Sequence, residues 1–199
     1  MSMARVILSL GLLAICAVFR QTLEADPVKH VLVQLPFLAV SGWLFVTSLE
    51  GWRRFRIAEP VSESMANAFL LVAVFTILFW MLPRFIDAAL TDPVVEVAKF
   101  ISIPVLVGGF LATGWANSNP FLRGFLKANA ISMLGVLAFL YIHAPVRICN
   151  SYLVSDQERL GFAFLITAIG LGIAWSIPLF APPLKELNFS QLPIKKTAI

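Results

Sequence analysis

Two histidines, two cysteines and five methionines are the soft or borderline metal ligands of this 199-residue chain, so their spacing is the first guide to its chemistry. His30 and Gln34 stand four apart in an apolar stretch, which puts both on one face of a helix about 6 Å apart along its axis. Met81 follows a tryptophan and precedes Leu82-Pro83. His143 closes another apolar stretch and leads through Ala-Pro-Val-Arg-Ile to Cys149. His30, Met81, His143 and Cys149 would suit a soft ion such as Cu(I), with Glu96 as a harder oxygen ligand. The alternative for His30 alone is a hydrogen-bonded or solvated imidazole. A second set of side chains could support such a site: Gln34, Asp87, Lys99, Arg147, Asp156 and Gln157. Asp92, Glu96 and Lys99 follow one another at one-turn spacing. Lys99 falls about 9 Å inside the helix that Pro93 opens, deep enough in an apolar segment to require a partner. That partner is either Glu96 on its own helix or, if Lys99 faces a bundle, Asp87 or Asp156. Ser155 to Glu158 reads as a capping box, which accounts for its carboxylates but not for Gln157. Arg147, Asn150 and Tyr152 give the surrounding loop enough hydrogen-bonding groups either to fold over a bundle or to remain solvated. There is no phosphate-binding glycine loop, HExxH, GxSxG or carboxylate pair at catalytic spacing, and the chain is not expected to be an enzyme.

The elements that must position these residues are membrane helices. With 59% hydrophobic and 13% charged residues and a mean hydropathy of +0.88, the chain has too little polar surface for a soluble domain of its size. Apolar stretches at 5–20, 30–49, 62–82, 93–115, 124–143 and 157–180 approach the roughly twenty residues that cross about 30 Å of hydrocarbon. The fold class expected is all-α, a polytopic bundle of about six transmembrane helices in one domain over residues 1–182, with a polar tail at 183–199. The first stretch, behind a basic start, also has the shape of a signal peptide, whose removal would leave five helices. Asp92-Pro93 has the form of an N-cap and first helical residue. Trp43, Trp80, Trp115 and Trp175 near segment ends suit the headgroup layers. Pro36 and Pro104 should disturb the helices they interrupt, and Gly108-Gly109, Gly114 and Gly170 to Gly172 could allow close helix approach.

Lys and Arg set the expected orientation. Nine lie on the side of Arg5, Arg53, Arg54, Arg56, Arg123, Lys127 and the tail, against five on the side of Arg20, Lys29, Arg84, Arg147 and Arg159. Both termini are therefore expected in the cytoplasm of a bacterium, with the chain multi-pass in its inner membrane. The possible ligands then gather on the periplasmic face, while the cytoplasmic face carries Arg, Lys and Glu without His or Cys. The net charge of +4 is scattered between apolar segments without a basic stripe, which argues against nucleic acid and for lipid as the surrounding partner. Cys16 and Cys149 fall in different layers and are not expected to form a disulfide.

Residues 79–93, FWMLPRFIDAALTDP, resemble the W-x-L-P…D-x-A-L…P stretch of the CtaG family of caa3-type cytochrome c oxidase assembly factors. His30 to Gln34, followed by Pro36 and Gly42, is similar to that family's H-x-x-Q-H helix, and Asp156-Gln157 with Gly161 is similar to its D-Q…G entry to a late helix. The likeness runs over residues 27–180. It implies a divergent member of a family of membrane proteins serving copper delivery to a haem-copper oxidase, with the subunits of such an enzyme as partners. Leu35, Met81, Glu96 and Phe100 stand where the family pattern has histidines, so His30 alone is retained, and the chain has one helix fewer than that pattern. Two functions follow: an assembly or metallation factor for a copper-containing membrane enzyme, or an accessory subunit bound stably to such a complex. Two further readings rest on fewer residues. His30 and His143 could be axial ligands of a b-type haem, and Glu96 with Lys99 could belong to a transport path.

Overall fold

The computed structural model describes residues 3–53, 61–144 and 146–180. Arg54, Arg56 and the tail at 183–199 lie outside the described residues. All regular structure among the described residues is helical. The helices are α1 (Met3–Val18), α2 (Arg20–Glu24), α3 (27–53), α4 (Glu63–Trp80), α5 (Pro83–Thr91), α6 (Pro93–Trp115), α7 (Pro120–His143) and α8 (Val154–Phe180).

Five of them are long and apolar enough to cross a membrane: Pro27–Leu49 in α3, then α4, α6, α7 and Val154–Pro178 in α8, at mean hydropathies of 1.7 to 2.0. The all-α, multi-pass architecture is thus present. The sixth apolar element, α1, has 16 residues and reaches about 24 Å. It lies along α3, where Ser9 Oγ donates to the Ser41 carbonyl at 2.8 Å and Cys16 is fully buried.

Short polar sequences start these helices. Asp26, Asp92 and Asn119 each precede a proline at the first helical position, and each carboxylate or amide oxygen accepts from a backbone N–H just inside the helix, at 2.9, 2.8 and 2.8 Å. Ser62 caps α4 in the same way. α8 departs from the expected capping box at Ser155 to Glu158: it begins at Val154, and Asp156 reaches back to the Leu153 N–H.

The prolines do what their chemistry requires, without sharp breaks. α3 widens to a π-helical turn at His30–Gln34, ahead of Pro36, and α6 does so at Ile103–Gly109, around Pro104. These two helices pack so closely that a Cβ on Gly42 would fall on the Pro104 carbonyl, and one on Gly108 on the Ala39 carbonyl. Gly114 approaches α4 at Ala66 in a similar way. Gly170 meets nothing and Gly172 only Ile131 Cδ1 at 4.0 Å, so that pair does not mediate close packing. Trp80 ends its candidate membrane span. It is buried and donates its indole N–H to Ser102 Oγ at 2.8 Å.

α1, α3, α6 and α4 form one packed group, and α7 pairs with α8, which meets the start of α3. α2, α5 and the loop residues 146–153 all fall at the end of the bundle where α3, α6 and α8 begin. The main core lies toward this end, with Leu35, Ile86, Ile103, Tyr141, Leu160 and Phe164 among its buried members.

Candidate buried polar centre

Lys99 is the point around which this end is built. The wide turn of α3 carries His30 and Gln34 inward, and α2 brings Glu24 over them. Lys99 on α6 faces both. The four side chains are almost sealed from solvent, at 1% exposure for Lys99 and His30, 0% for Gln34 and 9% for Glu24. Lys99 Nζ lies 2.5 Å from Glu24 Oε1, 3.3 Å from His30 Nε2 and 3.3 Å from Gln34 Oε1. An ammonium has three protons and no lone pair, so these acceptors use its full capacity. Gln34 Nε2 in turn donates to Glu24 Oε1 at 3.1 Å. The pairing is what allows a lysine to stand inside an apolar helix, since an unpaired charge there is costly.

The hydrogen bonds also fix the histidine. The Tyr152 hydroxyl donates its one proton to the Glu24 carbonyl at 2.8 Å, so toward His30 Nδ1, 3.1 Å away, it must accept. Burial, reinforced by the Glu24 carboxylate, pushes the Tyr152 phenol up, which keeps that proton in place. His30 is therefore the Nδ1–H tautomer, with its Nε2 lone pair turned to the Lys99 ammonium. A metal ion at Nε2 would have to displace the ammonium, and Nδ1 is closed by Tyr152. The residues around His30 thus do not fit a copper ion in this arrangement.

The other candidate ligands stand apart. Glu96 pairs with Arg20 Nη1 at 2.6 Å, not with Lys99 on its own helix. Arg20 Nε also lies 4.0 Å from Glu24 Oε2, so charges alternate from Glu96 through Arg20 and Glu24 to Lys99 and the layer is neutral. Met81 is half-buried at the end of α4 against the core. His143 is exposed, stacks on Phe139 with ring centroids 4.5 Å apart and holds Nδ1 3.0 Å from the Phe139 carbonyl. Cys149 is buried beside the Tyr141 hydroxyl at 3.9 Å, and burial pushes its thiol up. Among the described residues no group of three or more His, Cys, Asp or Glu side chains is placed to hold a metal ion. The expected convergence of His30, Met81, His143, Cys149 and Glu96 is not formed, because each has a different local partner. His30 and His143 are likewise not an axial pair.

The supporting residues hold the loop over the centre. Asp87 accepts from the N–H groups of Asn150 and Ser151 at 2.7 and 3.1 Å. Gln157 accepts from Ile148 N–H at 2.8 Å, and Arg147 Nε donates to the Tyr152 carbonyl at 3.2 Å. Asp156 serves Arg159 and the start of α8, and Arg159 also reaches Asp26 at 3.0 Å. Neither Asp87 nor Asp156 is the partner of Lys99; Glu24 is. Although burial opposes ionisation of Asp26, the amides of Val28 and Lys29 and the Arg159 guanidinium hold its carboxyl below the ordinary range. A cavity of about 740 Å³ lies elsewhere, lined by α1, α3, α4 and α6. Its lining is apolar except for Ser9, Ser41 and Thr113, whose hydroxyls all donate to backbone carbonyls.

Comparison with known proteins gives no match to a family model, a curated protein or a solved structure.

Proposed function

We propose that the chain is a non-enzymatic assembly or accessory protein of a copper-containing membrane enzyme such as cytochrome c oxidase, working through contact with its subunits rather than by carrying the metal. The likeness of residues 79–93 to the CtaG family supplies the class of client. The observation that carries the contact reading is the saturation of His30: the one retained histidine of that likeness bonds Tyr152 through Nδ1 and Lys99 through Nε2. In this reading the chain resides in a bacterial inner membrane with both termini cytoplasmic and the Lys99 centre toward the periplasm.

Affinity capture from native membranes in mild detergent, followed by metal analysis, tests it. Co-purification with the subunits of a copper or haem-copper enzyme, with no copper on the isolated chain, is the expected result. Fixed stoichiometry marks an accessory subunit, and enrichment only during biogenesis marks an assembly factor. Isolation of the chain alone, or tight Cu(I) binding abolished by His30→Ala with Met81→Ala, would refute the contact reading.

A further inference from the structure

We propose that the cavity walled by α1, α3, α4 and α6 holds one acyl chain of a membrane phospholipid with an anionic headgroup, whose phosphate is received by Arg5. α1 packs on α3 and α4 on α6, while α3 and α6 meet backbone to backbone at Gly42 and Pro104. The two outer helices therefore flank the α3–α6 pair and leave a space of about 740 Å³. Sites that enclose organic ligands run from roughly 300 to 1,000 Å³.

The lining selects hydrocarbon. It has no charged side chain, and its polar members, Ser9, Ser41 and Thr113, each spend their single hydroxyl proton on a backbone carbonyl, at 2.8, 2.7 and 3.1 Å. No side-chain donor is left for a quinone or a carboxylate, whose buried acceptors would go unpaired. The depth selects a lipid chain. The lining runs from Ser41 to Leu49 on α3 and from Pro104 to Thr113 on α6, about 12–14 Å along the helix axes. Both stretches start at or beyond the midpoints of the spans Pro27–Leu49 and Pro93–Trp115 and continue away from Lys99. The cavity thus covers about half of a roughly 30 Å hydrocarbon layer, which is the depth of one leaflet. A partner's transmembrane helix would need a groove along the whole span.

Arg5 supplies the headgroup contact. It stands one turn before Ser9 on α1, and its Nη1 lies 3.5 Å from the carbonyl of Thr47, near the Leu49 end of the lining. That single long contact leaves most of the guanidinium N–H groups for a phosphate, and among the described residues no carboxylate pairs with it. Glu63, at the same end, belongs to α4 across the cavity. The inference rests on the membrane-spanning helices and holds whichever enzyme is the client.

The test uses the full-length chain, purified in mild detergent, stripped of lipid and offered phosphatidylglycerol or phosphatidylcholine of the same acyl chains. By native mass spectrometry the wild type should retain one phosphatidylglycerol per chain, at least fivefold more than phosphatidylcholine, and its unfolding midpoint should rise more with the anionic lipid. Leu13→Trp and Val46→Trp, which fill the space from α1 and α3, should each lower retention at least tenfold. Arg5→Gln should abolish the preference between the two lipids, and Ile166→Trp, on an exposed face of α8, should change nothing. If a filled variant folds poorly, the wild-type midpoint and the Arg5→Gln preference decide. Absence of retained lipid, equal retention of both lipids by the wild type, retention indifferent to both filled variants, or a complex of two chains that excludes lipid would each overturn the proposal.

Discussion

Lys99→Met tests the assignment of the buried centre most directly, because methionine keeps much of the lysine stem while removing the charge. The substitution leaves Glu24 with Gln34 at 3.1 Å and Arg20 at 4.0 Å, and leaves His30 Nε2 and Gln34 Oε1 without their donor. Removing one member of a buried ion pair typically costs about 3–5 kcal/mol, and a stranded buried acceptor about 1–3 kcal/mol. Arg20 screens Glu24 in part, so the expected loss is about 3–4 kcal/mol. At roughly 2–4 °C per kcal/mol for a chain of this size, the unfolding midpoint should fall by about 6–16 °C. The diagnostic variant is the double one. Glu24→Gln alone leaves the ammonium buried without its counter-charge, whereas Lys99→Met/Glu24→Gln removes both charges. The double variant should therefore lie at least about 1.5 kcal/mol above the sum of the single effects. Circular dichroism during thermal or SDS titration of the detergent-solubilised chain measures all three. A Lys99→Met midpoint equal to wild type, or strictly additive single effects, would refute the claim that the pair organises this end of the bundle.

The same structure constrains other sites. Selective 15N labelling should place the His30 proton on Nδ1; a proton on Nε2 would contradict the Tyr152-to-Glu24 hydrogen-bond direction. Asp87→Ala should free the backbone at Asn150 and Ser151, raising their amide exchange and increasing maleimide labelling of Cys149 at least tenfold, since burial keeps that thiol both protonated and covered. Unchanged labelling would mean that Asp87 does not hold the loop. For Asp26 the carboxyl is depressed in the folded chain, so its contribution is present above the ordinary carboxylate value near 3.9 and is lost as pH falls through the lower folded value. Asp26→Asn should flatten the loss of stability below about pH 4; an acid profile identical to wild type would count against it. Gly108→Val should destabilise by more than about 3 kcal/mol, because its side chain would enter the backbone of α3, and a variant as stable as wild type would refute that packing.

Much of the frame was readable from local chemistry. Asp92-Pro93 marks its helix start because a short carboxylate and a fixed φ act within three residues. Asp26-Pro27 and Asn119-Pro120 carry the same signal, and attention to them would have moved the start of the fifth stretch from 124 back to Pro120. The asymmetry between the two ends was legible too, as was the need of Lys99 for a partner, since depth follows from counting residues along a helix. The identity of that partner was not. Glu24 lies 75 residues away on a five-residue helix that no hydropathy pattern reveals, and only tertiary packing places it over α3. The folding of the loop around Asn150 and Ser151 depends similarly on Asp87, 63 residues from Asn150.

Among the described residues the expected ligands have separate surroundings, for a related reason. Residue types on one face of a bundle give an inventory of possible ligands without saying how their lone pairs are used. His30 and Glu96 look available in the sequence, yet each finds a cation of the chain itself, Lys99 at 3.3 Å and Arg20 at 2.6 Å. In the low-dielectric interior the Lys99 ammonium, 1% exposed, must be compensated by the acceptors around it, whereas Glu96 meets Arg20 where the guanidinium is still 45% exposed. A cationic side chain at a ligand set is therefore evidence about the set: it supplies the positive charge that the acceptors require and removes the vacancy a metal would need. Counting fixed cations against available lone pairs makes Lys99 the residue on which any metal assignment at His30 turns.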